Sequence, residues 1–401
     1  MKILIINQHS HNHGDEAAGK ALIRSLYEEG FRDIAVSYNL AKTDPESMFH
    51  YKTVRQISSV IRDRGSWRLA KWAMKYPHSI YRFLPRYRKD YWEIRKADYV
   101  ISAPGGINMG LYRDYGYVWR LSEAVRLGKK VAIYSPSIGP FDTQDFFYNT
   151  SQNILRQVDF LSLRDKKSCD YADNLNVSYI ASIDTAFLES PDSPLSEELQ
   201  ALLPEHYAVL VPNQLYTWHV RYKGTTDATQ IDRFYEQLID RFVQNGIRVV
   251  LLPQLFGNTN GSDEVYFNTL KKDNESVIVV PAKYDSDVQQ KIIQNSSFVV
   301  GARYHTIVFA INNAVPFACL SYEHKMENML ETLDLQILNN RIDDAFANPA
   351  SSIEHIWDLY VERERYTKSV DNARSVAKRM AVQPTARVSS SSRKLRLNEG
   401  Q

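Results

Sequence analysis

The feature that most constrains the fold is a repeated order: a short apolar run, a loop, an amphipathic stretch, then another apolar run. Residues 2–7 (KILIIN) form the first run, rich in β-branched side chains. The spacing of Ala17, Ala18, Ala21, Leu22, Ser25 and Leu26 predicts a helix over about 15–28. Residues 33–38 (DIAVSY) read as the next strand. This order is a βαβ unit, which implies a buried parallel sheet. Further strands are expected at 98–103 (DYVISA), 130–135, 159–163 and 178–183, with a helix at 118–127 that Gly128 ends. A stretch rich in Ser, Pro and acid at 190–205 reads as a linker. A second series follows, with strands at 207–212, 248–252, 276–280, 297–300 and 317–321 and helices at 229–245, 285–295 and 304–313.

The sequence therefore predicts two α/β domains, 1–190 and 205–345. A charge-dense helix within 350–382 is expected to pack back on the N-terminal domain. The polar, low-complexity segment 383–401 is expected to be a disordered tail. At 401 residues and 44% hydrophobic, the chain can fill two cores.

Composition excludes some classes of function. A net charge of +2 gives no global electrostatic case for nucleic acid, and none is expected as a partner. The two cysteines, Cys169 and Cys319, fit no metal-ligand spacing and suggest a reducing compartment. The alternation His9, His11, His13 has no Cys or carboxylate at a convincing spacing, so no metal is expected. The run Ile3 to Ile6 is too short for a secretory signal core, and no apolar run is long enough to span a bilayer. A cytoplasmic protein is expected. One segment departs from the α/β pattern: residues 51–97 interleave many Lys and Arg with Trp, Tyr and Phe, and read as a basic aromatic helical insertion. An ordinary solvated insertion fits that composition equally well.

Candidate site residues fall at strand ends, where parallel sheets bind ligands. Asn12, Gly14 and Asp15 follow the first strand. Gly14 allows close backbone approach, and Asp15 either caps the helix or acts on a substrate hydroxyl. Gly105, Gly106 and Asn108 follow the strand 98–103, where paired glycines serve a ligand or a tight turn. Arg164 and Asp184 end two later strands, with a salt bridge to Asp165 as the plain alternative for Arg164. Arg303 and His305 flank the start of a helix, where cations oppose the helix dipole. Arg303 offers a fork for a carboxylate or phosphate, unless a structural acid pairs with it. His305 can give a proton near neutral pH. Lys325 adds a further cation after the strand 317–321.

In order along the chain, these positions resemble the polysaccharide pyruvyl transferase family. The resemblance rests on Asn12-x-Gly14-Asp15, Gly105-Gly106, Ser137-Ile138-Gly139-Pro140, Ser162-x-Arg164-Asp165-x-x-Ser168 and Asp184-x-Ala186-Phe187. It continues with Gly301-x-Arg303-x-His305, Pro316 and Tyr322-x-x-Lys325, and covers about residues 1–330. Pro104 stands where a third glycine is common in the family. The resemblance implies a glycosyltransferase-B-like architecture, two Rossmann-like domains facing a cleft. It also implies transfer of pyruvate from phosphoenolpyruvate to a glycan sugar as a ketal, for a cell-surface polysaccharide or exopolysaccharide, with no cofactor. It implicates Arg303 and His305 in donor contact, with Arg164 and Lys325 completing an anion clamp. His305 is then the acid and Asp15 the group that handles the acceptor hydroxyl. Acceptors of the family are often lipid-linked oligosaccharides, so residues 51–97 are expected to touch the inner membrane face. Two other readings fit the residues: a nucleotide-sugar-dependent glycosyltransferase of the same architecture, and a non-catalytic glycan- or nucleic-acid-binding module.

Overall fold

The computed structural model describes residues 1–9, 11–39, 54–59, 66–76, 85–190, 194–256 and 263–398. Residues 51–53, 60–65 and 77–84 of the basic aromatic segment, 191–193 of the expected linker and 399–401 of the tail lie outside the described residues. The chain divides into two compact units. Unit 1 comprises Met1–Ser10, Asp15–Leu188 and Lys378–Gln401; unit 2 comprises His11–Gly14 and Glu189–Ala377.

Unit 1 is built on a parallel sheet of strands β1 (Lys2–His9), β2 (Asp33–Asn39), β3 (Arg55–Ser59), β4 (Tyr99–Ser102), β5 (Lys130–Ile133), β6 (Phe160–Leu163) and β7 (Ile180–Ala181), in the order β3-β2-β1-β4-β5-β6-β7. Its helices are α1 (His13–Glu28), α2 (Ser66–Lys75), α3 (Pro85–Lys96), α4 (Tyr115–Arg126), α5 (Phe146–Leu155) and α6 (Lys166–Asn174). Successive side chains of a strand point to opposite faces. Ile3 and Ile5 therefore join Leu22, Ile23 and Leu26 of α1 on one face. Leu4 and Ile6 join Ile94 of α3 and Val118 and Leu121 of α4 on the other. Both faces are covered, which is why β1 reads as an unbroken apolar run. The strand order reverses between β1 and β4, so the ends of those two strands form the switch point of the unit.

The basic aromatic segment is only partly helical. Residues Arg55–Ser59 are an edge strand paired with β2 in parallel register. In α2 and α3, Ala70, Ala73 and Tyr87 pack on the buried Trp119 of α4, with the Tyr87 and Trp119 rings edge to face. The inner part of the segment is thus core of unit 1.

Unit 2 repeats the plan with β8 (Tyr207–Val211), β9 (Arg248–Leu251), β10 (Val277–Val279), β11 (Phe298–Gly301), β12 (Phe317–Ser321) and β13 (Asn339–Arg341), in the order β10-β9-β8-β11-β12-β13. Its switch point lies between β8 and β11. Its helices are α7 (Glu197–Leu202), α8 (Leu215–Trp218), α9 (Ala228–Gln244), α10 (Asp263–Lys271), α11 (Ser286–Gln294), α12 (Tyr304–Asn312), α13 (His324–Thr332), α14 (Ile342–Ala347) and α15 (Pro349–Val361). All nine residues of α12 are buried. A last helix, α16 (Arg363–Asn398), begins in unit 2 and continues past Gln383, where composition favoured an unstructured tail. No helix among the described residues is long and apolar enough to cross a membrane.

Candidate active site

At the switch point of unit 2, β11 ends at Gly301 and the chain turns directly into α12. Arg303 occupies the cap position in extended conformation and makes no side-chain cap hydrogen bond. Helix α13, after β12, begins the same way on Glu323. In the same unit, α9 and α11 are capped by Asp227 and Asp285, whose carboxylates accept from backbone N–H groups. Two neighbouring strand ends therefore lead into helices without a side-chain cap bond, with Arg303 at the cap position of α12 and Lys325 in the first turn of α13. The partial positive charge of each helix start and the side-chain cation favour the same ligand, an anion.

The surroundings of Arg303 are specific. One Nη group donates to the Asp263 carboxylate, so the structural acid that the sequence left open is present. Asp263 also accepts from the backbone N–H groups of Gln254 and Leu255, each at 2.9 Å, which anchors it to the loop after β9. The guanidinium carbon stands 5.8 Å from the ring centroid of Trp218. Trp218 is itself held by Asn213, which accepts from the indole at 3.0 Å and donates to the Ala302 carbonyl at 2.9 Å. Arg303 is buried, and its Nε has no hydrogen-bond partner among the described residues. The residue is thus clamped at one end and leaves a buried donor unsatisfied.

Lys325 is also paired. Its Nζ lies 2.5 Å from Glu323, and the other Glu323 oxygen lies 3.0 Å from His219 Nε2. Burial acts to raise the Glu323 carboxyl. The Lys325 charge and the hydrogen bonds from His219 and Lys325 outweigh it and hold the group well below the usual carboxylate range. The Lys325 ammonium also sits 5.7 Å from the Tyr304 ring and 5.9 Å from the Tyr322 ring.

His305 lies in the first turn of α12, buried beside Tyr304. The loop His11–Gly14, assigned from sequence to the N-terminal domain, clusters with unit 2. The reason is a set of bonds to the loop after β9. His13 N–H donates to Gln254 O at 3.0 Å, Phe256 N–H donates to His11 O at 3.1 Å, and the His13 ring stacks on Phe256 at 4.3 Å. Asn12 accepts from the Gly14 N–H at 2.9 Å and so caps the turn. Gly14 packs against His305 so closely that a Cβ there would overlap the imidazole. The close approach that Gly14 permits is to His305.

Unit 1 places Asp15, Gly105, Gly106 and Asn108 at its own switch point. Asp15 stands in the first turn of α1, with a carboxylate oxygen 3.7 Å from His9 Nδ1. The same carboxylate lies 2.6 Å from where a Cβ of Gly105 would sit. Gly105 and Gly106 both adopt positive φ, 109° and 69°, and a Cβ on Gly106 would strike the Asn108 side chain. The turn needs both glycines for its own conformation and packing.

Arg164 and Asp184, both expected at a ligand, bond to each other inside unit 1: Arg164 Nη1 is 2.5 Å from Asp184, its Nε donates to Ser137 Oγ at 3.0 Å, and it is buried. Asp184, wholly buried, accepts from Arg164 and from the Ala186 N–H. Both residues are therefore internal braces of unit 1. Asp165, which sequence offered as a salt-bridge partner for Arg164, caps α6 by accepting from the Ser168 N–H. The residues sequence reasoning missed are Asp263, Asn213, Trp218, His219 and Glu323. Only Glu323, within the loop already singled out, carried a local sign.

Two parallel α/β units with strand-end sites of this kind define a glycosyltransferase-B-like fold, and solved structures agree. A UDP-N-acetylglucosamine 2-epimerase from Neisseria meningitidis bound to UDP-GlcNAc superposes with a TM-score of 0.61 at 12% identity, covering 96% of this chain and 100% of that one. The Methanocaldococcus jannaschii UDP-GlcNAc 2-epimerase in complex with UDP-GlcNAc and UDP gives 0.57 at 12%, covering 90% and 93%. A spinosyn rhamnosyltransferase gives 0.58 at 10%, covering 97% and 99%. At such identities the likeness shows the fold alone. No curated protein matches the sequence. The family model for polysaccharide pyruvyl transferase matches residues 12–324, and the chain belongs to that family.

Proposed function

We propose that the protein transfers the pyruvyl group of phosphoenolpyruvate to two hydroxyls of a glycan sugar, forming a cyclic ketal and releasing phosphate. Family membership supports a transferase acting on polysaccharide. The observation that carries the donor assignment is Arg303. It takes the cap position of α12 two residues before His305, with a buried Nε donor that lacks a partner among the described residues. A buried donor left unsatisfied costs about 1–3 kcal/mol, which an anionic ligand would recover.

In this reading the donor's carboxylate and phosphate lie against the starts of α12 and α13, with Arg303 and Lys325. Asp263 and Glu323 fix these two cations in place before the donor arrives. Protonated His305 gives its proton to the methylene carbon of phosphoenolpyruvate, and C2 gains oxocarbenium character. One sugar hydroxyl attacks C2 and loses its proton. The C2–O bond to phosphate then breaks, and the second hydroxyl closes the ketal as its proton passes to the departing phosphate. Asp15 is proposed to accept the proton of an attacking hydroxyl, on the strength of its place at the switch point of unit 1. No metal or cofactor enters this scheme. The cytoplasm, where phosphoenolpyruvate is made, is the compartment it requires.

Incubation with phosphoenolpyruvate and an acceptor glycan should give a glycan bearing the pyruvate mass increment, with phosphate released in equal amount. His305→Ala should lower turnover by about 10²–10⁴-fold, the usual worth of a general acid. Full activity in that variant would remove the acid assignment. The whole-chain likeness to enzymes solved with UDP-GlcNAc favours one second reading, a nucleotide-sugar-dependent glycosyltransferase. Supplying UDP-sugars in place of phosphoenolpyruvate separates the two.

A further inference from the structure

From Arg64 to Lys89 the chain carries eight Lys or Arg residues and no Asp or Glu. Within this stretch, α2 and the residue after it divide cleanly by exposure. At about 3.6 residues per turn, Ala70, Ala73 and Met74 fall in one sector, the one that packs on Trp119 and the core. The next sector holds Leu69, Trp72 and Tyr76, which are 42%, 41% and 49% exposed. The third holds Arg68, Lys71 and Lys75, all exposed. The Tyr76 N–H donates to Trp72 O at 2.8 Å, so the helical path extends to Tyr76. The helix thus presents outward an apolar strip and a cationic strip, side by side and parallel to its axis.

The two described acids that follow this stretch are engaged elsewhere. Asp90, the next acid along the chain, is buried against Arg120 and Ser37, and Glu93 pairs with Arg55. Trp92 on α3 is 39% exposed, with the Arg95 guanidinium 4.9 Å from its ring.

We propose that the outer face of α2 docks on an anionic lipid surface, with Leu69, Trp72 and Tyr76 entering the headgroup boundary and Arg68, Lys71 and Lys75 contacting lipid phosphates. A helix lying in a bilayer interface needs such a pair of strips. Juxtamembrane cations are drawn by the negative surface potential of anionic lipids. Single-stranded nucleic acid also attracts cations and aromatic rings. Leu69, at the start of the apolar strip, offers no ring for a base and suits acyl chains instead. This docking is independent of the transfer reaction.

The test is co-sedimentation of the full chain with vesicles of phosphatidylcholine alone and of phosphatidylcholine with phosphatidylglycerol. Binding is expected only to the anionic vesicles, weakening as salt rises. Leu69→Gln/Trp72→Gln and Lys71→Glu/Lys75→Glu change outward side chains, so both should melt as the parent does. Each is expected to lower vesicle affinity tenfold or more. The proposal is overturned if the folded variants bind like the parent, if anionic vesicles are not bound, or if single-stranded RNA binds this face more tightly than the vesicles do.

Discussion

Gly14 is where a single methyl group tests the site. A Cβ there would overlap the His305 ring. At the start of a helix, Gly→Ala ordinarily helps or is neutral for stability. Here the clash outweighs that gain: Gly14→Ala should lower the melting temperature, since crowding a packed interior costs about 1–3 kcal/mol, and turnover of the folded fraction should fall by about 10²-fold or more through displacement of His305. Steady-state kinetics beside a thermal melt reads both. Changes at Arg164 and Asp184 should affect stability alone. Removing one partner of a buried ion pair costs about 3–5 kcal/mol, so Asp184→Ala should lower unfolding stability by that order. The folded fraction should keep the parent affinity for phosphoenolpyruvate. Arg303 and Arg164 looked alike in sequence, since both are cations at strand ends. What separates them is the partner. Asp184 and Ser137 engage Arg164 at both Nη1 and Nε, whereas Asp263 takes a single Nη of Arg303 and leaves Nε without a bond. Asp263 lies 40 residues from Arg303, and no local pattern connects them.

At the scale of elements, α12 and α13 start on Arg303 and Glu323 where their neighbours start on Asp. The Glu323 carboxylate bonds to Lys325 and, across 104 residues of sequence, to His219. Because its folded-state pKa is depressed, its contribution is complete above the unfolded value of about 4.3 and fades as pH falls through the lower, folded value. Glu323→Gln should thus lower thermal stability at pH 7, and the gap to the parent should close in strongly acid buffer. A gap that widens with acid would contradict the sign. Most parallel strands were legible because burial on both faces leaves an apolar run. The exceptions are edge strands. Arg55–Ser59 is RQISS and Asn339–Arg341 is NNR, and neither shows the apolar run of a central strand. The break between α15 and α16 at Glu362 also lay inside what sequence offered as one helix.

For the molecule as a whole, the two α/β units follow from the twofold repeat of strand and helix patterns. What that repeat could not convey is membership. The loop His11–Gly14 follows β1 in sequence yet belongs to unit 2, because its backbone and rings bond to the loop after β9. α16 likewise begins in one unit and ends in the other. The central claim is that unit 2 holds the phosphoenolpyruvate donor at the starts of α12 and α13. Calorimetric titration of phosphoenolpyruvate into the parent protein, Arg303→Met and Lys325→Met tests it most directly, with folding of each variant checked by its melt. Binding to the parent and a loss of tenfold or more in each variant is the expected result, since a charge-assisted hydrogen bond contributes about 1.5–3 kcal/mol. Equal affinity in all three proteins, or tight binding of a UDP-sugar with none of phosphoenolpyruvate, would contradict it.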